Sequence, residues 1–136
     1  MELLAAYPIV VTDRLRECRE FHARWFGLEV IFEADWIAVL SAGGGVPTIA
    51  FMHSRHPSTP PSPGPYEGDG MFLTLQVADA AGEFERLTSA GLRLALELRD
   101  EPWGQRRFGV VDPSGMWVDV VEQIEPAPGW WEPYLS

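Results

Sequence analysis

The 136-residue sequence predicts an α+β chain built from two βαβββ modules. Three observations carry that prediction. The order strand, aspartate-led helix, glycine stop and three strands occurs twice. The steps Val11-Thr12-Asp13 and Phe26-Gly27-Leu28 in the first half find their counterparts in Val77-Ala78-Asp79 and Ala90-Gly91-Leu92 in the second. A proline-dense stretch, Pro57 to Pro65, separates the halves, and proline continues neither a strand nor a helix. The predicted organisation is a first module at 1–56, a linker at 57–70, a second module at 71–125 and an aromatic tail at 126–136.

In the first half, Tyr7 to Thr12 reads as a short buried strand. Asp13 is placed to cap a helix running from about Leu15 to Phe26, with Leu15, Cys18, Phe21, His22 and Trp25 near helical spacing. Gly27 stops it, because glycine accepts the left-handed conformation at a C-terminal cap. Strands follow at Glu29 to Glu33, Trp36 to Leu40 and Thr48 to His53, the last two joined by a glycine-rich turn. In the second half, Met71 to Val77 is a strand, Asp79 caps a helix over Ala80 to Ala90, and Gly91 stops it. Strands are predicted at Leu92 to Leu98, Arg106 to Val111 and Met116 to Glu122. Asp112-Pro113-Ser114-Gly115 is a turn: Asp accepts backbone N–H bonds, Pro presets φ and Gly permits positive φ.

Composition narrows the function classes. The formal net charge of −10 repels phosphate backbones, so neither a nucleic-acid nor a membrane partner is expected. No segment approaches the ~20 apolar residues of a bilayer span. Acidic Glu2 and the lack of a basic leader argue against a secretory signal, and cytoplasmic residence is expected. One cysteine, Cys18, permits no intrachain disulfide and reads as a packing residue of the first helix. His22 likewise reads as a helix-face core residue, and His53 with His56 has the wrong spacing for a metal pair on one helical face.

Strand parity points to a binding surface. Along Met71 to Val77, Met71, Leu73, Leu75 and Val77 share an apolar face, which should pack on the helices. Phe72, Thr74 and Gln76 share the other. In the last strand Val118 and Val120 look helix-packed, whereas Trp117, Asp119 and Val121 share the opposite face. A mixed face carrying a large aromatic and an acid suits a ligand site.

These residues resemble a known family. Val11-Thr12-Asp13, Phe21-His22 and Trp25-Phe26-Gly27-Leu28-Glu29-Val30 resemble the V-x-D step, F-Y pair and L-G-L-x-V helix exit of the vicinal oxygen chelate superfamily, with His22 in place of the usual tyrosine. Trp103-Gly104-Gln105-Arg106, Asp112-Pro113-Ser114-Gly115 and Asp119 are similar to its closing W-G-x-R, D-P-x-G and acid. That superfamily includes glyoxalase I, extradiol dioxygenases, fosfomycin-inactivating enzymes and the bleomycin- and mitomycin-binding resistance proteins. The resemblance implies two modules with cupped mixed sheets, often completed in a homodimer. It also implies where metal-dependent members place their ligands: here Ala6 or Tyr7, Phe51 or His53, Phe72, and Asp119. Alanine and phenylalanine coordinate nothing, so no metal site and no cofactor are expected.

The resulting expectation is a metal-free binding protein that sequesters an aromatic or hydrophobic small molecule, such as an antibiotic. The expected ligand-binding residues are Trp36, Phe51, Phe72, Thr74, Gln76, Trp103, Arg106, Trp117 and Asp119, with Trp117 and Phe72 first among the aromatics. Asp119 would meet a cation or hydrogen-bond donor, and the acidic surface slightly favours a cationic ligand. The alternative is a glyoxalase-like lyase, isomerase or dioxygenase, either metal-dependent or using Asp119 as general base with Arg106 or Arg107 holding an anion. The tail's Trp130, Trp131 and Tyr134 are expected to pack across the cup mouth or on a homodimer partner.

Overall fold

The computed structural model describes residues 1–60 and 64–135. Residues 61–63 of the predicted linker and residue 136 of the predicted tail lie outside the described residues. The elements in chain order are β1 (Ile9–Val11), α1 (Leu15–Phe26), β2 (Glu29–Ala34), β3 (Ile37–Ser41), β4 (Pro47–Met52), β5 (Phe72–Gln76), α2 (Ala80–Ser89), β6 (Leu96–Glu101), β7 (Gln105–Val111) and β8 (Trp117–Gln123). A short 3₁₀ turn, Glu132–Tyr134, lies in the tail. No helix among the described residues is long and apolar enough to cross a membrane.

The predicted α+β architecture of two βαβββ modules is what the chain adopts. One four-stranded sheet has the order β1-β4-β3-β2 and the other β5-β8-β7-β6. Each contains a single parallel pair, between its first and last strands: β1 with β4, and β5 with β8. The remaining neighbours are antiparallel. Residues 1–69 and the turn Asp112–Gly115 group as one compact unit, and Gly70–Val111 with the chain from Met116 onward as a second.

In the first unit α1 packs on one face of its sheet. Cys18 and His22 are fully buried there, as are Leu40, Ile49 and Phe51. The helix ends at Gly27, whose φ of 67° is the left-handed conformation the sequence reserved for glycine. Its start differs from expectation. Asp13 does not cap α1; the helix begins after Arg14 with no side-chain cap. The Thr12 hydroxyl takes the Arg14 N–H at 3.1 Å, and Asp13 turns outward to accept the Ser54 hydroxyl. That hydrogen bond, chiefly, holds the Asp13 carboxyl below its ordinary value. Strand β1 is also shorter than predicted, since Pro8 has no N–H and Tyr7 is exposed.

In the second unit Asp79 caps α2 as predicted, accepting the Gly82 N–H at 3.0 Å. Phe84 of α2 meets Phe108 of β7 edge-on at 5.7 Å, which marks the helix-facing side of this sheet. The predicted strand at Leu92 to Leu98 is displaced to Leu96–Glu101. The cause lies in how the helix ends. The Leu92 N–H returns to the Leu87 carbonyl at 2.9 Å and the Gly91 N–H to Thr88 at 3.0 Å, closing a Schellman motif with Gly91 at φ 98°. Leu92 is buried as part of that cap and not as a strand residue.

Candidate functional site

The pairing of β5, β8, β7 and β6 decides which side chains share the face opposite α2. Phe72 lies beside Trp117, Thr74 beside Asp119 and Gln76 beside Val121. Across the next pair, Gly109 opposes Asp119 and Arg107 opposes Val121; beyond them Arg99 opposes Arg107. These positions share one face because opposed residues in a ladder point the same way. Phe108 and Val110 pair with Val120 and Val118 on the α2 side.

The polar centre of the face is a chain of charges. Asp119, only 3 % exposed, accepts a hydrogen bond from Arg107 Nη1 at 3.0 Å through one carboxylate oxygen. Its other oxygen accepts the Trp117 indole N–H. Arg107 also reaches Glu101, at 2.6 Å from Nη2, and Glu101 in turn pairs with Arg99 at 3.1 Å. Two carboxylates therefore meet two guanidiniums. Burial opposes the charge on Glu101, but its bonds to Arg107 and Arg99 outweigh burial and hold the carboxyl below the usual range. Burial likewise opposes the Arg107 charge, and hydrogen bonds to Glu101 and Asp119 more than offset it.

Aromatic rings flank this centre. The Trp117 indole crosses β7 at Gly109, so closely that a Cβ there would sit 2.3 Å from the ring. Phe72, beside it, is 58 % exposed. At the other end, Arg107 lies 5.2 Å from the Trp103 ring centroid, and Trp103 donates its indole N–H to Gln105 at 2.9 Å. Trp103 meets Trp130 of the tail at 5.8 Å, and the Trp131 indole bonds the Trp103 carbonyl at 2.8 Å. The tail thus packs on the β6–β7 turn of its own unit.

The expected ligand-binding residues separate accordingly. Phe72, Thr74, Gln76, Trp117 and Asp119 share the face, and Trp103 borders it through Arg107. Arg106 does not join them: it lies on the α2 side, bonded to Asp100 at 2.7 Å and 3.8 Å from Glu122. Its neighbour Arg107 holds the position on the Asp119 face. Phe51 is wholly buried on the α1 side of the first sheet, its ring 5.0 Å from His22, and lines no surface. Trp36, also in the first unit, stacks on His56 at 3.8 Å and 8°. Gly109 and Glu101 are the residues that sequence reasoning left out; Arg107 entered it only as an alternative to Arg106 for holding an anion, not as the partner of Asp119. A glycine inside a strand was the available signal for a close approach.

Two further groupings lie in the first unit. A cavity of about 370 Å³ sets Asp13, Glu17, Glu33 and Asp35 against Arg16 and Arg19. Among the described residues its lining holds the His53 imidazole but no Phe, Tyr or Trp, and Arg19 closes on Glu33 at 3.2 Å. The buried His22 pairs with Asp112 at 2.8 Å, inside a cage of Phe21, Phe26 and Phe51 rings. Among the described residues no group of three or more His, Cys, Asp or Glu side chains is arranged to hold a metal ion. Of the positions at which the resemblance implies metal ligands, Ala6, Phe51 and Phe72 have no ligating side-chain atom, the alternatives Tyr7 and His53 carry one each, with His53 set beside Asp13 at 3.7 Å, and both Asp119 oxygens are engaged by Arg107 and Trp117.

The sequence profile of the Glyoxalase/Bleomycin resistance protein/Dioxygenase superfamily matches residues 5–120. The chain belongs to this superfamily. Solved structures share its fold at low identity. TioX from Micromonospora sp. ML1 is 22 % identical over 88 % of this chain and 98 % of its own, with a TM-score of 0.72. A glyoxalase/bleomycin resistance protein/dioxygenase from Nocardioides is 19 % identical over 95 % and 89 %, with a TM-score of 0.75. A lactoylglutathione lyase from Agrobacterium tumefaciens is 18 % identical over 90 % and 96 %, with a TM-score of 0.67. No curated protein matches the chain.

Proposed function

We propose that this superfamily member binds a planar apolar small molecule on the face of its second sheet without transforming it. The observation that carries the reading is the combination of exposed Phe72 and part-exposed Trp117 with a polar centre whose charges are already matched. Aromatic faces stack on planar ligands and contribute about 0.5–1.5 kcal/mol each beyond area burial. Internal pairing of Asp119 with Arg107 removes the free carboxylate that a cationic ligand would seek, so shape and stacking govern selection more than charge does. The same pairing weighs against proton abstraction, because a general base needs an oxygen within reach of the substrate proton. Antibiotics with planar chromophores are one class that fits.

The test is a fluorescence titration with two planar tricyclic probes, neutral acridone and cationic proflavine. Binding of acridone at least as tight as that of proflavine, lost in Trp117→Ala, is the expected result. Stoichiometric zinc, nickel, manganese or iron in purified protein, or turnover of a glyoxalase or dioxygenase substrate, would replace this reading with the enzymatic one.

A further inference from the structure

The binding face contains a carboxylate that touches no solvent to speak of. Asp119 is 3 % exposed, and each of its oxygens has a protein donor. A group so enclosed is poorly placed to contact a ligand. What it does contact is the edge of a large aromatic ring, the Trp117 indole, that lies across β7. From this geometry, and resting on the binding reading above, we infer that Asp119 and Gly109 are positioning residues that lay Trp117 flat against β7 as the stacking platform.

Gly109 supplies the space. It sits within β7 in register with Asp119, and its φ is not positive, so no backbone strain calls for glycine there. The indole calls for it instead. A Cβ at this position would lie 2.3 Å from Trp117 Cζ2 and 2.7 Å from Cε2, distances that no real contact tolerates. Any side chain larger than hydrogen pushes the ring off the strand. Asp119 supplies the direction. Two residues along β8 from Trp117, it projects from the same face and accepts the indole N–H. Arg107 holds the carboxylate from the opposite side at 3.0 Å, so the acceptor cannot swing away without abandoning its charge partner. Space beneath the ring and a fixed acceptor at its edge together leave one orientation, which lowers the ordering cost when a ligand stacks.

The experiment uses the intact chain and reads the indole N–H resonances by ¹⁵N–¹H NMR, with the Trp117 signal identified by its loss in Trp117→Phe. In the ligand-free protein, Gly109→Ala and Asp119→Ala should each shift that resonance and speed its exchange with water by more than tenfold, whereas Asp119→Asn, which keeps an acceptor oxygen, should restore much of the protection. Acridone affinity should fall about tenfold in the two alanine variants and be largely rescued in Asp119→Asn. If Gly109→Ala does not fold, the Asp119 pair carries the test. An unmoved Trp117 resonance overturns the inference, as does a moved resonance with acridone affinity intact. Wild-type protein that never binds acridone or proflavine overturns the binding reading alone, and the resonance still decides the positioning claim.

Discussion

His22 and Asp112, 90 residues apart in sequence, meet as a fully buried pair with Nε2 2.8 Å from Oδ2. The carboxylate accepts, so the proton resides on Nε2. Among the described residues the buried Nδ1 has no hydrogen-bond partner. The other Asp112 oxygen takes the Ser114 N–H at 2.8 Å and hydroxyl at 2.5 Å. Removing one member of such a pair leaves a buried polar group uncompensated, at a cost of about 3 kcal/mol or more. We expect His22→Ala and Asp112→Ala each to destabilise by about that much in urea unfolding. The double variant should lose less than the sum by about 1–3 kcal/mol. An additive cycle would deny the pair any role in stability.

Arg106 and Arg107 are adjacent in sequence and opposite in consequence. Arg106 is partly exposed and paired with an exposed Asp100, so solvent screening leaves that pair little to contribute. Arg107→Ala leaves buried Asp119 with its charge unmatched and takes one of two arginines from buried Glu101. The expected loss is about 3 kcal/mol, from removing one side of a buried ion pair. Thermal unfolding of the two variants side by side checks the contrast, and equal effects would show that the face assignment is wrong.

Glu101 makes stability sensitive to acid. Its folded carboxyl titrates below the ordinary value of 4.5, against burial and through Arg107 and Arg99. The stabilisation is therefore complete above about pH 4.5 and lost as pH falls through the lower folded value. Glu101→Gln should flatten the pH dependence of the urea midpoint over the interval below the ordinary value of 4.5 while lowering stability at neutral pH. A wild-type midpoint that does not change across that interval would argue against the arginine pairing.

Cys18 should be inert while the protein is folded. It is fully buried, and burial first, then the nearby Asp112 charge, pushes its thiol up to about 12. At pH 8 a disulfide reagent such as Ellman's should react with it only after urea unfolding, since the thiolate is the reactive form. Rapid labelling of native protein would contradict this packing.

Gly91 isolates a backbone effect. Its φ of 98° is disfavoured for any L side chain, and a Cβ there would meet nothing within 4 Å. Gly91→Ala should cost about 1–2 kcal/mol through conformation alone, read as a fall in melting temperature with an unchanged circular dichroism spectrum. No fall would mean that the cap relaxes freely.

The sequence by itself determined the repeated βαβββ order, the glycine helix stops, the 112–115 turn and the parity that puts Phe72, Thr74 and Gln76 on one side of β5 and Trp117 with Asp119 on one side of β8. All of these follow from short-range periodicity and the backbone preferences of glycine, proline and aspartate. Strand ends were less legible, because Thr12 outcompeted Asp13 at the start of α1 and the Schellman cap absorbed Leu92. Only the tertiary structure decided which arginine meets Asp119, that an indole lies over Gly109, that Phe51 is core and that His22 finds Asp112. Those depend on ladder register and on contacts between distant segments. A shift of one residue in register would exchange Arg106 for Arg107 and give the same acid a different partner.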